Sequence, residues 1–174
     1  MMRAGGSLVV AAVLLCGPML QACSDQKPQN PGDRIINTTA DDAALNAAMK
    51  QAVDTLDVFW AKFDAKPPGT DNYAIKLGMT GQDGFKEFIW AEPVRRTNDE
   101  VVARLANEPE HLRGLTLGSE VHVKQDLIFD WGYERNGKLY GHFTTRVLMN
   151  RMTPEELAEV EGRFSPTPIE PDAS

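Results

Sequence analysis

The run Leu127-Ile128-Phe129-Asp130-Trp131-Gly132-Tyr133-Glu134-Arg135-Asn136-Gly137-Lys138-Leu139-Tyr140-Gly141-His142-Phe143-Thr144-Thr145-Arg146 decides the fold, because a turn dipeptide divides two β-prone halves. Asn-Gly is the preferred pair for a two-residue type I′ turn, whose central residues both need positive φ. A turn at Asn136-Gly137 sets the register: Arg135 lies opposite Lys138, Tyr133 opposite Tyr140, Trp131 opposite His142, Phe129 opposite Thr144, and Leu127 opposite Arg146. Side chains alternate along a strand. One face therefore collects Leu127, Phe129, Trp131, Tyr133, Tyr140, His142, Thr144 and Arg146, and the other carries Ile128, Asp130, Gly132 and Glu134 opposite Thr145, Phe143, Gly141 and Leu139. Gly132 facing Gly141 empties two positions at one level of the ladder, which permits sharp curvature or close approach of another backbone.

Upstream, the same period of two governs Tyr73, Ile75, Leu77 and Met79, alternating with Ala74, Lys76 and Gly78, and predicts a half-buried strand. Gly81 to Gly84 reads as a turn, and residues 85–94 as a second strand with Phe88 and Trp90 on one face and Glu87, Ile89 and Ala91 on the other. Short strands follow over residues 100–106 and 120–123, separated by the turn Asn107-Glu108-Pro109 and a loop holding His111 and Gly114. Ahead of all of these, Leu45, Met49, Ala52, Leu56, Phe59, Trp60 and Phe63 recur at spacings of three and four, the stripe of an amphipathic helix. Thr38 or Thr39 can cap it, Asp41 and Asp42 suit its first turn, and Pro67-Pro68-Gly69 ends it. At 1.5 Å per residue such a helix is about 40 Å long. The expected architecture is α+β: one long amphipathic N-terminal helix packed on a curved, mainly antiparallel β-sheet, with a short C-terminal helix.

The N-terminus carries an address. Arg3 supplies a positive start, Leu8 to Leu15 an apolar stretch, and Met19-Leu20-Gln21-Ala22-Cys23 resembles a lipoprotein lipobox. On this reading residues 1–22 are a signal peptide, and Cys23 becomes an acylated N-terminus that carries palmitate-type chains. Each buried CH₂ of an acyl chain contributes about 0.8 kcal/mol, so several chains anchor the protein in a bilayer. Ser24, in place of an aspartate after the cysteine, resembles the pattern for sorting to the outer membrane, facing the periplasm. Residues 23–37 are polar and contain Pro28, Pro31 and Gly32, which makes them a flexible tether with a reach on the order of 20 Å. Residues 38–164 form a single domain, and 165–174, interrupted by Pro166, Pro168 and Pro171, are expected to be a disordered tail.

Charge and cysteine content narrow the function. Lys and Arg number 18 against 25 Asp and Glu, and removal of Arg3 with the signal leaves 17 basic residues and a net charge of −8. Without a basic run there is nothing to neutralise phosphates, so nucleic acid is an improbable partner. The two cysteines are Cys16 and Cys23. A chain cleaved before Cys23 has no thiol for disulfides, thiolate catalysis or zinc.

Asn107-Glu108-Pro109, Asp130-Trp131-Gly132-Tyr133 and Gly141-His142-Phe143-Thr144-Thr145-Arg146, with Glu87-Phe88-Ile89-Trp90 as an acidic-aromatic strand, resemble the YegJ-like domain of unknown function. The resemblance runs from the long helix through Val147. It implies an α+β fold with a helix on a curved antiparallel sheet, often in an envelope or secreted setting, and brings no established activity.

Three functional classes follow. Asp130, on the apolar face with Ile128 and Phe143, would have a raised pKa suited to acid or base work. Glu108 would be its partner in a small envelope hydrolase. The alternative for Asp130 is an acceptor of backbone N–H groups at a strand kink, and for Glu108 a turn residue. His122 and His142 lack metal-ligand spacing, and no cofactor or metal is expected. Trp131, Tyr133, Tyr140 and His142, with Arg146 for a carboxylate, would form a binding surface for a sugar ring or peptide side chain, unless the helix covers that face. The favoured reading is a membrane-tethered, non-catalytic accessory module that binds an envelope protein, peptide or cell-wall component; a purely structural lipoprotein is the third.

Overall fold

The computed structural model describes residues 42–171. The expected signal peptide, Cys23, the expected tether, the candidate caps Thr38 and Thr39 and residues 172–174 lie outside the described residues. The elements run α1 (Ala43–Asp54), α2 (Leu56–Ala65), β1 (Thr70–Thr80), β2 (Lys86–Arg96), β3 (Glu100–Leu105), β4 (Glu120–Lys124), β5 (Ile128–Arg135), β6 (Lys138–Gly141), α3 (Phe143–Met149) and α4 (Pro154–Val160). All six strands join one antiparallel sheet in the order β4-β3-β2-β1-β5-β6.

The class is α+β, as expected, but the long N-terminal helix is two shorter ones. Asp42 caps α1 through Leu45 N at 3.1 Å. At Thr55 (φ −117°, ψ 16°) the helix breaks. The Ala52 carbonyl there accepts from Thr55 N, from Thr55 Oγ1 and from the Trp131 indole, the last at 2.8 Å. The Thr55 hydroxyl also donates to Gln51 O at 2.8 Å. A threonine bonded back into the preceding turn, together with a carbonyl claimed from the sheet, bends the chain so that α1 and α2 each lie against the sheet. The apolar stripe survives the break: Ala52, Phe59, Trp60 and Phe63 all enter the core, with Leu56 packed against it.

The hairpin turn is as read. Asn136 (φ 49°) and Gly137 (φ 76°) both take left-handed backbone, and Arg135 pairs with Lys138, Tyr133 with Tyr140 and Gly132 with Gly141. Above that level the expected pairs of Trp131 with His142, Phe129 with Thr144 and Leu127 with Arg146 do not form. Gly141 (φ 72°) and His142 (φ 53°) are two successive left-handed residues, and they end β6 and start α3. A Cβ on Gly141 would lie 2.2 Å from the Trp131 carbonyl oxygen, so glycine admits the close approach that lets the chain turn out of the sheet here.

A second departure changes which residues share a face. In the β1–β5 ladder Lys76 pairs with Asp130 but Leu77 pairs with Ile128, so Phe129 is the extra residue of a bulge. Ile128 therefore joins Trp131 and Tyr133 in the core, and Phe129 swings onto the other side, against Phe88.

The C-terminal segment differs from expectation as well. Residues 164–170, assigned to a disordered tail from 165 onward, lie along β6 as a strap. Phe164 bridges Leu139 in parallel, Ser165 N donates to Leu139 O, and Gly141 N donates to Pro168 O. Ile169 packs on the core, and Glu170 bonds Lys62 and Arg135. Prolines remove donors but leave carbonyls, and this edge uses those carbonyls.

Candidate functional site

The helices cover one face of the sheet. Trp131 and Tyr133, both 0 % exposed, stack on each other and on Phe59 and Tyr73, beneath α1 and α2. The aromatic surface drawn from the hairpin register is therefore interior. Tyr140 is half-buried and stacks on Tyr133 at 5.5 Å. Arg146 is spent too: its guanidinium donates to the carbonyls of Gly141, Leu139 and Ser165, fastening the strap. A helix stripe that rich in aromatic rings needs an apolar face of matching size, and the hairpin supplies it.

His142 lies on the opposite side. The left-handed turn at residues 141 and 142 carries its imidazole over Gly132, where a Cβ would stand 2.2 Å from Nε2. Trp90 packs beside the ring at 5.0 Å and Phe164 at 5.9 Å. The residue is half-buried overall, yet Nε2 is fully shielded and unpartnered. Burial, reinforced by Lys76, Arg146 and Arg163, pushes its pKa down to about 3, so the ring is neutral at physiological pH.

Beneath His142 is a buried polar cluster. The Asp130 Oδ1 accepts from Trp131 N at 2.8 Å and Phe143 N at 3.1 Å, and Oδ2 accepts from Thr144 N at 2.8 Å and Thr144 Oγ1 at 2.6 Å. Lys76 Nζ donates to Thr144 Oγ1 at 2.9 Å and sits 4.7 Å from the Trp90 ring centre. Burial raises the Asp130 pKa; Lys76 and the bonds from Thr144 and Trp131 oppose it. Both carboxylate oxygens are occupied by donors, so Asp130 holds the first turn of α3 in place. Its expected partner is elsewhere. Glu108 accepts from Leu117 N at 2.9 Å on an exposed loop after β3, and β3 is three strands from β5, about 14 Å. The two carboxylates are not brought together.

Of the other histidines, His122 is exposed beside Glu100 and Glu120 on the outer strands, and His111 pairs with Asp83 at 2.8 Å in the loop. Among the described residues no group of three or more His, Cys, Asp or Glu side chains is arranged to hold a metal.

The open face of the sheet does carry a concavity. A cleft of about 250 Å³ crosses it, floored by Ala74, Trp90 and Glu92 and walled by His142, Thr145 and Phe164. Asn72 and Glu134, joined by a bond of 3.0 Å from Asn72 Nδ2, lie toward the β5 side, with Arg163 and Asn107 also on the rim. Asn72 (φ 48°) occupies the second irregularity of the β1–β5 ladder, which turns its amide toward Glu134. Thr145 is 6 % exposed and its hydroxyl has no partner. Of the residues singled out from sequence for a site, only His142 lines this cleft. Strand alternation does separate Trp90 from Ile89 and Ala91, and Ala74 from Ile75. What sequence does not show is that the chain after α4 returns to wall that face.

Comparison with known proteins gives the family. The chain is 28% identical over 132 residues to "Uncharacterized protein YegJ" of Escherichia coli (strain K12), covering 76% of this chain and 84% of that protein. It is 29% identical over 136 residues to "Putative ankyrin repeat protein NMB1133/NMB1171" of Neisseria meningitidis serogroup B (strain ATCC BAA-335 / MC58), covering 74% of this chain and 54% of that one. The chain thus spans about half the length of the second relative. No solved structure matches. Residues 42–164, the whole of the helix layer and sheet, match one family model, and the chain belongs to that family, described as "Uncharacterized protein conserved in bacteria (DUF2314)".

Proposed function

We propose that this chain is a lipoprotein of the bacterial envelope, anchored in the outer membrane through acylated Cys23 and facing the periplasm, whose domain binds a protein, peptide or cell-wall component without catalysis. The anchor rests on the order of Arg3, the apolar stretch and Met19-Leu20-Gln21-Ala22-Cys23. Binding rests on one observation: the open face holds a cleft of about 250 Å³ that sets Glu92, Glu134 and Arg163 beside the apolar Leu139 and Phe164. A concave site with apolar walls and a few placed polar groups is the usual form of a ligand site. Hydrolysis by Asp130 and Glu108 is disfavoured because Asp130 is saturated by donors and Glu108 is distant. The second relative also suits a module, since the matched region is only about half of a longer protein.

Both halves are testable. Cells fed a palmitate analogue should label the wild type and leave Cys23→Ala unlabelled; a labelled variant overturns the anchor. For binding, a photo-crosslinking residue is placed at Ala106, exposed on the cleft wall, or at Val53, exposed on α1. Adducts from position 106 alone are expected. Equal adducts from both positions, or none, overturn the cleft as the binding site.

A further inference from the structure

We infer that the occupant of this cleft is the end of a short peptide carrying both a free ammonium group and a free carboxylate. This rests on the cleft being the binding site, and adds the chemistry of its ligand. Glu92 stands on β2 and Glu134 on β5, two strand spacings apart, about 10 Å across the sheet. Arg163 lies on the turn that precedes Phe164, which bridges Leu139, the cross-strand partner of Glu134. Glu92 and Arg163 make no ion pair or hydrogen bond among the described residues, and Glu134 is held only by Asn72. One cleft thus offers two carboxylates and a guanidinium.

That pairing discriminates between ligand classes. A phosphate would meet two carboxylates and one guanidinium, a net repulsion. A neutral saccharide uses neither sign of charge, and Trp90, 8 % exposed and flanked by Lys76 and His142, offers no free ring face for stacking. A simple cation leaves Arg163 idle. A zwitterionic peptide end uses all three groups, with Arg163 on the carboxylate in a charge-assisted bond and Glu92 or Glu134 on the ammonium. Leu139 and Phe164 cover an aliphatic stem. His142 stays neutral at physiological pH and adds no charge to the balance. At about 250 Å³ the cleft is smaller than the roughly 300–1,000 Å³ of sites for drug-sized ligands, so one or two residues fill it.

The test is an amide-shift titration of the isotope-labelled full-length chain in detergent, watching Asn72, Asn107, Thr145 and the Trp90 indole. The probes are Nα-acetyl-alanyl-lysine, its Nε-acetyl derivative, its C-terminal amide, chitotriose and inorganic phosphate. The first should move these resonances. Blocking the ammonium should weaken it about tenfold, and amidating the carboxylate several-fold. Glu92→Gln combined with Glu134→Gln should reproduce the first loss, and Arg163→Gln should abolish the difference between acid and amide. Glu92 and Arg163 are exposed and Glu134 is half-buried, and the variants should keep the wild-type amide spectrum elsewhere. Equal affinity for the blocked and free peptides overturns the inference. So do shifts caused by chitotriose or phosphate and not by the peptide, which would leave the cleft standing as a site. Crosslinking at position 106 without any peptide shift overturns the peptide assignment alone, whereas loss of both overturns the cleft as well.

Discussion

The two faces of the central sheet are built from alternate residues of the same strands and do opposite work. On the helix side Ile75, Leu77, Trp131 and Tyr133 meet Phe59 and Phe63 in a closed aromatic layer. On the other side Lys76, Asp130, Trp90 and His142 form a polar layer under a cleft. Asp130 and Trp131 are neighbours in sequence and centres of different layers. The aromatic layer is stabilised by area removed from water, and the polar one by the hydrogen bonds that join Asp130, Thr144 and Lys76. The first is closed under the helices, and the second opens onto the cleft with Glu92, Glu134 and Arg163.

The sharpest way to break the contrast is to remove one centre at a time. Trp131→Ala should lower stability by about 3 to 5 kcal/mol, at the upper end, because it opens a cavity and also releases the Ala52 carbonyl at the α1–α2 break. Chemical denaturation measures it, and a loss under 1 kcal/mol would mean the aromatic layer does not hold the helices. Next, Asp130→Asn should cost about 2 to 3 kcal/mol, since its amide cannot accept at every position where the carboxylate now accepts. Were the open face ordinary solvated surface, that change would stay within about 0.5 kcal/mol.

The pH response sharpens the same comparison. His142 has a folded pKa of about 3, below the ordinary 6.5 of an unfolded chain, so between these values the unfolded state binds the extra proton. Stability therefore falls as pH drops from 6.5 toward 3. Over the first unit the loss is about 1 kcal/mol. His142→Asn, which tolerates the left-handed backbone, should remove this component when wild type and variant are unfolded side by side from pH 7 to 5. Parallel pH curves would place the imidazole in water instead. The smallest effect belongs to the strap. Glu170→Gln weakens the bonds to Lys62 and Arg135 and should cost about 0.5 to 1 kcal/mol. It should speed hydrogen exchange at the amides of Ser165 and Gly141, while Leu77 in the sheet centre is unchanged.

Much of this fold was legible in the chain. Asn136-Gly137 set the turn and the register of its first pairs, and alternation from Tyr73 to Met79 and from Phe85 to Val94 located β1 and β2 with their faces assigned. The stripe from Leu45 to Phe63 identified the covering layer. Legibility failed wherever a local period met a tertiary demand. Thr55 continues the helical spacing, yet the Trp131 indole claims the carbonyl beside it. Phe129 continues the alternation, yet a bulge there rotates Ile128 into the core. His142 extends β6 by period, yet two left-handed residues turn it across the sheet. The site followed the same pattern. Its aromatic residues were noticed because they are large and alternate, and size and alternation are the marks of core; the groups that line the cleft are small or polar and come from distant segments.

By itself, the sequence determined the α+β class, the antiparallel hairpins, the aromatic stripe of the helical segment and the family, because each depends on local spacings and motifs that backbone geometry enforces. Only the tertiary structure decided which face of the sheet the helices take, where the helix breaks, and that residues 164–170 run along β6. Those outcomes depend on which buried carbonyls and carboxylates find donors from segments far apart in the chain. The pairing of Trp131 with Ala52, of Asp130 with Thr144, and of Arg146 with the strap is set by space, and no local period records it.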